Sequence, residues 1–279
     1  MMRALEIVCF AAIVLASTAV PAGELPRPDH VVIVIEENHA YQQIIGNPEA
    51  PYINALAKRG MLFTRSYGVA HPSQPNYLAL FSGSTHGYHS DVCPIFVSGD
   101  NLASLLAAKG LTFATYSESQ PARGDRDCAA GAYRRKHNPA ANWSGLHDTL
   151  LPFRDFPREF AKLPTVSLVV PDQRHDMHDG SIAAGDAWLK ANIDAYAQWA
   201  AAHNSLLIVT WDEDDSAHDN RIATIFLGAM VSRGSSAQPI NHYAVLRTLE
   251  DMYGLRLINE SAAAKPVSGV WRVPGTAKK

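Results

Sequence analysis

Continuous apolar runs, rather than strictly alternating ones, recur along this chain. Val31-Val32-Ile33-Val34-Ile35, Thr165-Val166-Ser167-Leu168-Val169-Val170 and Ser205-Leu206-Leu207-Ile208-Val209-Thr210 are short and rich in β-branched residues. Such runs predict strands buried on both faces, the pattern of a parallel sheet covered by helices. Met61–Thr64, Thr112–Tyr116 and Ala223–Gly228 predict further strands. Between them the spacing turns helical. Ala50–Gly60 and Leu102–Gly110 each close on a glycine, and Trp188, Leu189, Ile193, Tyr196 and Trp199 mark one face of a longer helix. Tyr243–Leu249 predicts a closing helix. The alternation is that of an α/β fold with mostly parallel connections. Residues 117–160, with their Gly, Pro and Arg clusters, read as a loop-bearing insertion, and the tail from Ala262 to Lys279 as loosely ordered.

The first two dozen residues follow a different rule. Arg3 precedes a mainly apolar run from Ile7 to Val20, and Val20-Pro21-Ala22 offers small residues for cleavage. This is the pattern of a secretory signal peptide over residues 1–22, too short and wrongly flanked for a membrane span. Residues 23–279 are then expected to form a single domain, which 47% apolar content suits. No later run reaches the roughly 18 apolar residues of a spanning helix, so no transmembrane segment is expected in the mature chain. A formal charge of −3 gives no basic footprint, which argues against nucleic acid as a partner. Cys9 would leave with the signal peptide. Cys93 and Cys128 remain, an even pair that in an exported protein predicts one disulfide worth about 3 kcal/mol, against two free thiols otherwise.

Three of the apolar runs end in polar clusters: Glu36-Glu37-Asn38, then Asp172 to Asp179 with His175, Asp176 and His178 inside it, then Asp212-Glu213-Asp214-Asp215. The carboxyl edge of an open α/β sheet is where ligands sit, so three such ends suggest one shared site. Glu37, Asn38, Asp212 and Glu213 supply hard oxygen ligands for a divalent cation such as Mg²⁺, Ca²⁺ or Mn²⁺, and nearby histidines leave Zn²⁺ or Fe open. Glu36, alternating to the other side of its strand, is the weaker candidate. Taken singly, each cluster reads equally well as solvated loop charges.

The stretch His71-Pro72-Ser73-Gln74-Pro75-Asn76-Tyr77 brackets one hydroxyl between two prolines ahead of helical spacing from Asn76 to Phe81, and Ser82-Gly83 follows. Alone it reads as a capping serine in a proline-rich turn. Beside a cation, Ser73 Oγ becomes a nucleophile without a triad histidine. His137 and His178 are then candidates to protonate a leaving group or hold an oxyanion. His175 and His178, at i and i+3, can also share a face as ligands. No Gly-x-Ser-x-Gly elbow surrounds Ser73, which excludes the local signature of a serine esterase.

Taken in order, Glu36-Glu37-Asn38, the Ser73 stretch, Lys136-His137-Asn138-Pro139, Asp176-Met177-His178, Trp211-Asp212-Glu213 and Asn241-His242-Tyr243 resemble a known family. It is the secreted bacterial phosphoesterases that group acid phosphatases with phosphatidylcholine-type phospholipases C, within the alkaline phosphatase superfamily. The resemblance implies a three-layer α/β sandwich, with a mostly parallel central sheet and helices on both faces. It also implies attack by Ser73 on phosphorus through a phosphoserine intermediate, and one divalent metal ion held by Glu37, Asn38, Ser73, Asp212 and Glu213. His137 and His178 would line the phosphate site, with Asn76, His175 and Asp176 as substrate-binding positions. The family's acid phosphatases carry Asp-Asp where this chain has Asp212-Glu213, which leaves Glu213 and Asp214 both open as the closing ligand. The expected partner is a small phosphorylated substrate. A phosphate monoester is the first reading, a phospholipase C or other phosphodiesterase the second. A non-catalytic, metal-stabilised envelope binding protein is the remote alternative.

Overall fold

A computed structural model describes residues 25–272. The signal-peptide expectation for residues 1–22 therefore lies outside the described residues. In chain order the strands are β1 (His30–Glu36), β2 (Met61–Tyr67), β3 (Phe113–Ser117), β4 (Ala129–Ala130), β5 (Tyr133–Arg134), β6 (Leu150–Pro152), β7 (Val166–Val170), β8 (Ser205–Trp211), β9 (Arg221–Leu227), β10 (Gly234–Ser236) and β11 (Ile240–Asn241). The helices are α1 (Tyr41–Ile44), α2 (Pro51–Arg59), α3 (Ser73–Ser82), α4 (Leu102–Ala107), α5 (Ile182–Ala200) and α6 (His242–Tyr253).

The main sheet runs β10-β2-β9-β8-β1-β7-β3-β6, with β11 also on β2. All pairings are parallel except the two that β9 makes, with β8 and β2. Reversing that one strand leaves the carboxyl ends of β1, β2, β7 and β8 on one edge. This is the expected three-layer α/β sandwich.

Side-chain alternation along β1 divides its apolar run between two cores. Val31, Ile33 and Ile35 pack under α3, α4 and α6. Val32 and Val34 face α2 and α5, where Ile53, Leu56, Trp188, Leu189, Ile193 and Tyr196 lie buried. Residues 117–160 are mostly loops and 3-10 turns, but Leu150–Pro152 adds the edge strand β6. The segment expected to be loose from Ala262 differs over its described part. Val267 and Val270 are buried in the core, and Trp271 bridges to Val231. A polar, proline-bearing sequence hid two well-spaced valines.

Cys93 and Cys128 form a disulfide, with Cα atoms 5.8 Å apart. It joins the loop after α3 to the small hairpin β4–β5.

Candidate active site at the carboxyl edge of the sheet

Ser73 is the first residue of α3, one turn earlier than the spacing from Asn76 suggests, because Pro75 fits within a helix's opening turn. Its hydroxyl makes no capping bond. Instead Oγ donates to Glu37 Oε2 at 2.9 Å and approaches Glu213 Oε1 at 3.4 Å. All ten residues of α3 are buried, and Gly83 in the left-handed region (φ 69°) ends it. The nucleophile candidate therefore stands on a helix fixed on every side.

Glu37 and Asn38 leave the end of β1 as Asn38 turns through a left-handed conformation (φ 55°). The Asn38 amide end lies 3.3 Å from Glu37 Oε2 and 3.2 Å from Glu213 Oε1. As placed, its oxygen faces both carboxylates, acceptor against acceptor. Asp212 Oδ1 accepts from the backbone N–H groups of Asn38 (3.1 Å) and Glu213 (2.6 Å). Its Oδ2 is buried with no hydrogen-bond partner among the described residues. Glu37, Asn38, Ser73 and Glu213 thus meet side chain to side chain, and Asp212 stands behind the Asn38 and Glu213 backbone with an orphaned acceptor, a hard-oxygen set that fits a divalent cation.

The sequence left Glu213 and Asp214 open. Asp214 closes its own loop, its oxygens accepting from the N–H groups of Ser216, His218 and Asn220. Glu213 is the one turned toward Ser73.

Burial and mutual repulsion set the charge state. Glu37 is held well above the usual carboxylate range by burial, with the Asp212 and Asp176 charges adding to it. Burial lifts Asp212 to about 7, and burial with the Asp212 charge lifts Glu213 to about 9. The cluster as it stands favours protons, and a cation would relieve the same repulsion.

His137 stacks on Tyr77, with ring centroids 5.2 Å apart, and places Nε2 3.2 Å from Glu37 Oε1 and Nδ1 3.4 Å from Asp176 Oδ2. Of the expected metal ligands, Glu37 alone belongs to a group of acids and histidines close enough together to share one ion among the described residues, with His137 and Asp176. Burial pushes the His137 imidazole well below its ordinary pKa, so it stands neutral. Asp176, itself raised to about 7 by burial, accepts from the His178 N–H at 2.8 Å through Oδ1, while its Oδ2, facing His137, has no hydrogen-bond partner among the described residues. His178 sits at the rim, half-buried, 6.1 Å ring to ring from His137 and paired with Asp179 at 2.7 Å.

Two expected substrate positions are placed otherwise. His175 does not reach the Ser73 cluster; its Nδ1 pairs with Glu118 at 2.9 Å, and its ring stacks on Trp188. The i, i+3 spacing misled because Asp172–Gly180 is a turn, with Met177 at φ 77°, and not a helix. Asn76 spends its amide on the loop before Ser73, accepting from the N–H groups of Val69 and Ala70 and donating to the Ala70 carbonyl at 2.9 Å. Only its Nδ2, 3.5 Å from Glu213 Oε2, touches the cluster.

Sequence reasoning passed over several supporting groups. His71 Nδ1 lies 2.7 Å from Glu213 Oε2. Lys136 Nζ donates to Asp91 at 2.6 Å, and Asp91 accepts from the Gln74 N–H at 2.9 Å. Buried His242, pushed down to about 4 by desolvation, holds the Asp212 carbonyl through Nε2 at 2.6 Å. His71, Lys136 and His242 all lie inside the quoted motifs, which was the available signal. Asp91 lies outside them.

A family model described as the phosphoesterase family matches residues 47–256. The chain belongs to the phosphoesterase family. This phosphoesterase is 48% identical over 254 residues to a phosphatidylinositol-3-phosphatase of Mycobacterium tuberculosis, covering 90% of this chain and 85% of that one. It is 30% identical to an acid phosphatase of Aspergillus fumigatus over 72% of this chain but only 50% of that protein. Among solved structures, a protein in the alkaline phosphatase superfamily from Vibrio parahaemolyticus superposes with a TM-score of 0.62 at 14% identity, over 89% of this chain and 72% of that one. A periplasmic domain of EcEptC from Escherichia coli, solved in complex with Zn, gives 0.58 at 11% identity over 85% of each chain. The phosphoesterase is a hydrolase acting on phosphoric ester bonds, and its carboxylate and histidine groups can hold a metal ion. No described helix is long and apolar enough to cross a membrane.

Proposed function

We propose that this phosphoesterase is an exported, metal-dependent phosphomonoesterase of the acid phosphatase type, with Ser73 as nucleophile. The observation that carries the reading is the Ser73 hydroxyl itself, buried at the start of α3 and donating into a carboxylate cluster. The phosphatase names of the relatives support a monoester substrate, and the 48% identical one supports a phosphorylated lipid headgroup. The Cys93–Cys128 bridge supports an oxidising compartment, periplasm or exterior.

When bound among Glu37, Asn38, Ser73, Asp212 and Glu213, the cation supplies Lewis acidity and lowers the Ser73 hydroxyl pKa. The chain's residues do the rest. Ser73 Oγ attacks phosphorus while its proton passes along the existing bond to Glu37. The P–O bond to the leaving alcohol breaks, and that oxygen takes a proton from rim His178, the exposed imidazole of the pair. Neutral His137, stacked on Tyr77, donates its single N–H from Nε2 to a phosphoryl oxygen, leaving Nδ1 to face the protonated Asp176 carboxyl. Water then gives a proton back to His178 as its oxygen attacks the phosphoserine; the P–Oγ bond breaks, inorganic phosphate leaves, and Glu37 returns its proton to Ser73 Oγ.

The test compares p-nitrophenyl phosphate with p-nitrophenylphosphorylcholine, each with and without EDTA. Turnover of the monoester that EDTA removes is expected. Preference for the choline diester would move the reading to a phospholipase C, and cation binding with no turnover of either to a binding protein.

A further inference from the structure

The acids gathered around Ser73 leave the site short of positive charge. Glu37, Asp212 and Glu213 supply three carboxylates, and a divalent cation among them offsets two of those charges. A phosphodiester adds one negative charge to that balance. A phosphate monoester adds close to two above about pH 6. Buried His137 stands neutral and offsets neither.

One full cation is built into the wall beside Ser73. Lys136 immediately precedes His137, and its side chain is only 15% exposed. Its ammonium donates to Asp91 Oδ2 at 2.6 Å. Asp91 Oδ1 in turn accepts the backbone N–H of Gln74, the residue after Ser73, at 2.9 Å. The lysine is thereby held against the opening turn of α3. Two tethers keep the pair in place. Gln74 donates its side-chain amide to the carbonyls of Ser90 (3.1 Å) and Val92 (3.0 Å), the residues on either side of Asp91. The disulfide joins Cys93, two residues past Asp91, to Cys128, whose carbonyl accepts the N–H of Arg135, the residue before Lys136.

An ammonium group has three N–H donors. Asp91 takes one, and Nζ has no other hydrogen-bond partner among the described residues. The Lys136 charge is felt by the acid cluster, where it lowers Glu37 and Glu213 against the burial that raises both. Burial pulls Lys136 down in turn, but the Asp91 bond and the Glu37 charge more than offset it, so the side chain stays charged.

We infer that Lys136 is a specificity-determining residue, the counter-charge that favours a doubly charged phosphate monoester over a singly charged diester at the Ser73 site. The inference deepens the proposed function and rests on it for the identity of the site. Lysine suits the role as a compact point charge that can turn its two spare donors toward a phosphoryl oxygen. Asp91 is its positioning residue.

The test measures kcat/KM of the metal-loaded mature protein on p-nitrophenyl phosphate and methyl p-nitrophenyl phosphate, which share a leaving group and differ by one charge. Wild type is compared with Lys136→Gln, Lys136→Met and Lys136→Arg. The monoester-to-diester ratio is expected to fall about 10- to 100-fold in both neutral variants, the scale of one hydrogen bond to a charged group, and to recover in Lys136→Arg. Two neutral side chains of different chemistry keep a folding defect in one from deciding the result. An equal fall on both esters, with the ratio unchanged, overturns the inference and leaves Lys136 as a support for α3. Calorimetric binding of inorganic phosphate at pH 8 reads the same charge without turnover. The neutral variants should bind about tenfold or more weakly than wild type, and equal affinity overturns the counter-charge. Wild type that hydrolyses neither ester would sink the proposed function, and the phosphate affinities would still decide Lys136.

Discussion

Tyr77 donates its phenolic hydroxyl to Glu37 Oε1 at 2.5 Å while Ser73, one helical turn earlier, donates to the other oxygen of the same carboxylate. The proposed nucleophile and the residue that holds the carboxylate it faces thus lie on one helix, four apart. The Tyr77 bond pulls the Glu37 pKa down against the burial that raises it. Removing that bond in Tyr77→Phe should let Glu37 hold its proton to higher pH, and the acidic limb of the kcat/KM profile should move upward. An unchanged limb would take Glu37 out of the ionisation that controls turnover.

Ser73→Ala should cost at least about a thousandfold in kcat, the scale for losing a covalent nucleophile. The helix has no capping bond to lose at this position, so the thermal midpoint should stay close to wild type. Measuring both separates chemistry from fold.

Glu213→Gln and Asp214→Asn should part company. The first removes a carboxylate facing Ser73, so calorimetric cation affinity and turnover should fall together. The second weakens acceptors for three backbone N–H groups, so stability should drop by about 1 to 3 kcal/mol while cation affinity holds. Equal cation loss in both would mean that the two acids share the site.

The carboxylate cluster predicts a pH-dependent fold. Asp212 and Asp176 rise to about 7 and Glu213 to about 9, above their ordinary values near 4. A raised acid favours the folded state while protonated, and that stability is lost as pH climbs through the folded-state pKa. Metal-stripped protein should therefore melt lower at pH 8 than at pH 5, and an added divalent cation should raise the midpoint more at pH 8. Calorimetric scans at both pH values check the sign.

Reduction of the Cys93–Cys128 bridge should lower stability by about 3 to 4 kcal/mol, read from denaturant midpoints of the double serine variant.

The strands were legible because a doubly covered parallel sheet needs apolar residues on both faces, so Val31–Ile35 and Ser205–Thr210 announce themselves. Glu37, Asn38, Asp212 and Glu213 were legible for a related reason, since each follows such a run at the carboxyl edge of the sheet, where ligands sit. What stayed hidden depends on contacts across the fold. Nothing local distinguishes His175, drawn to Glu118 57 residues away, from His137, stacked on Tyr77.

Helix α3 has no solvent-facing side. A substitution anywhere along it must be accepted by the core on one flank and by the acid cluster on the other, so drift in this segment is closed off from both directions. Divergence in what such an enzyme recognises is left to the surrounding loops, chiefly residues 84–100 and 118–160. There a change of side chain meets water first and the nucleophile only through its reach.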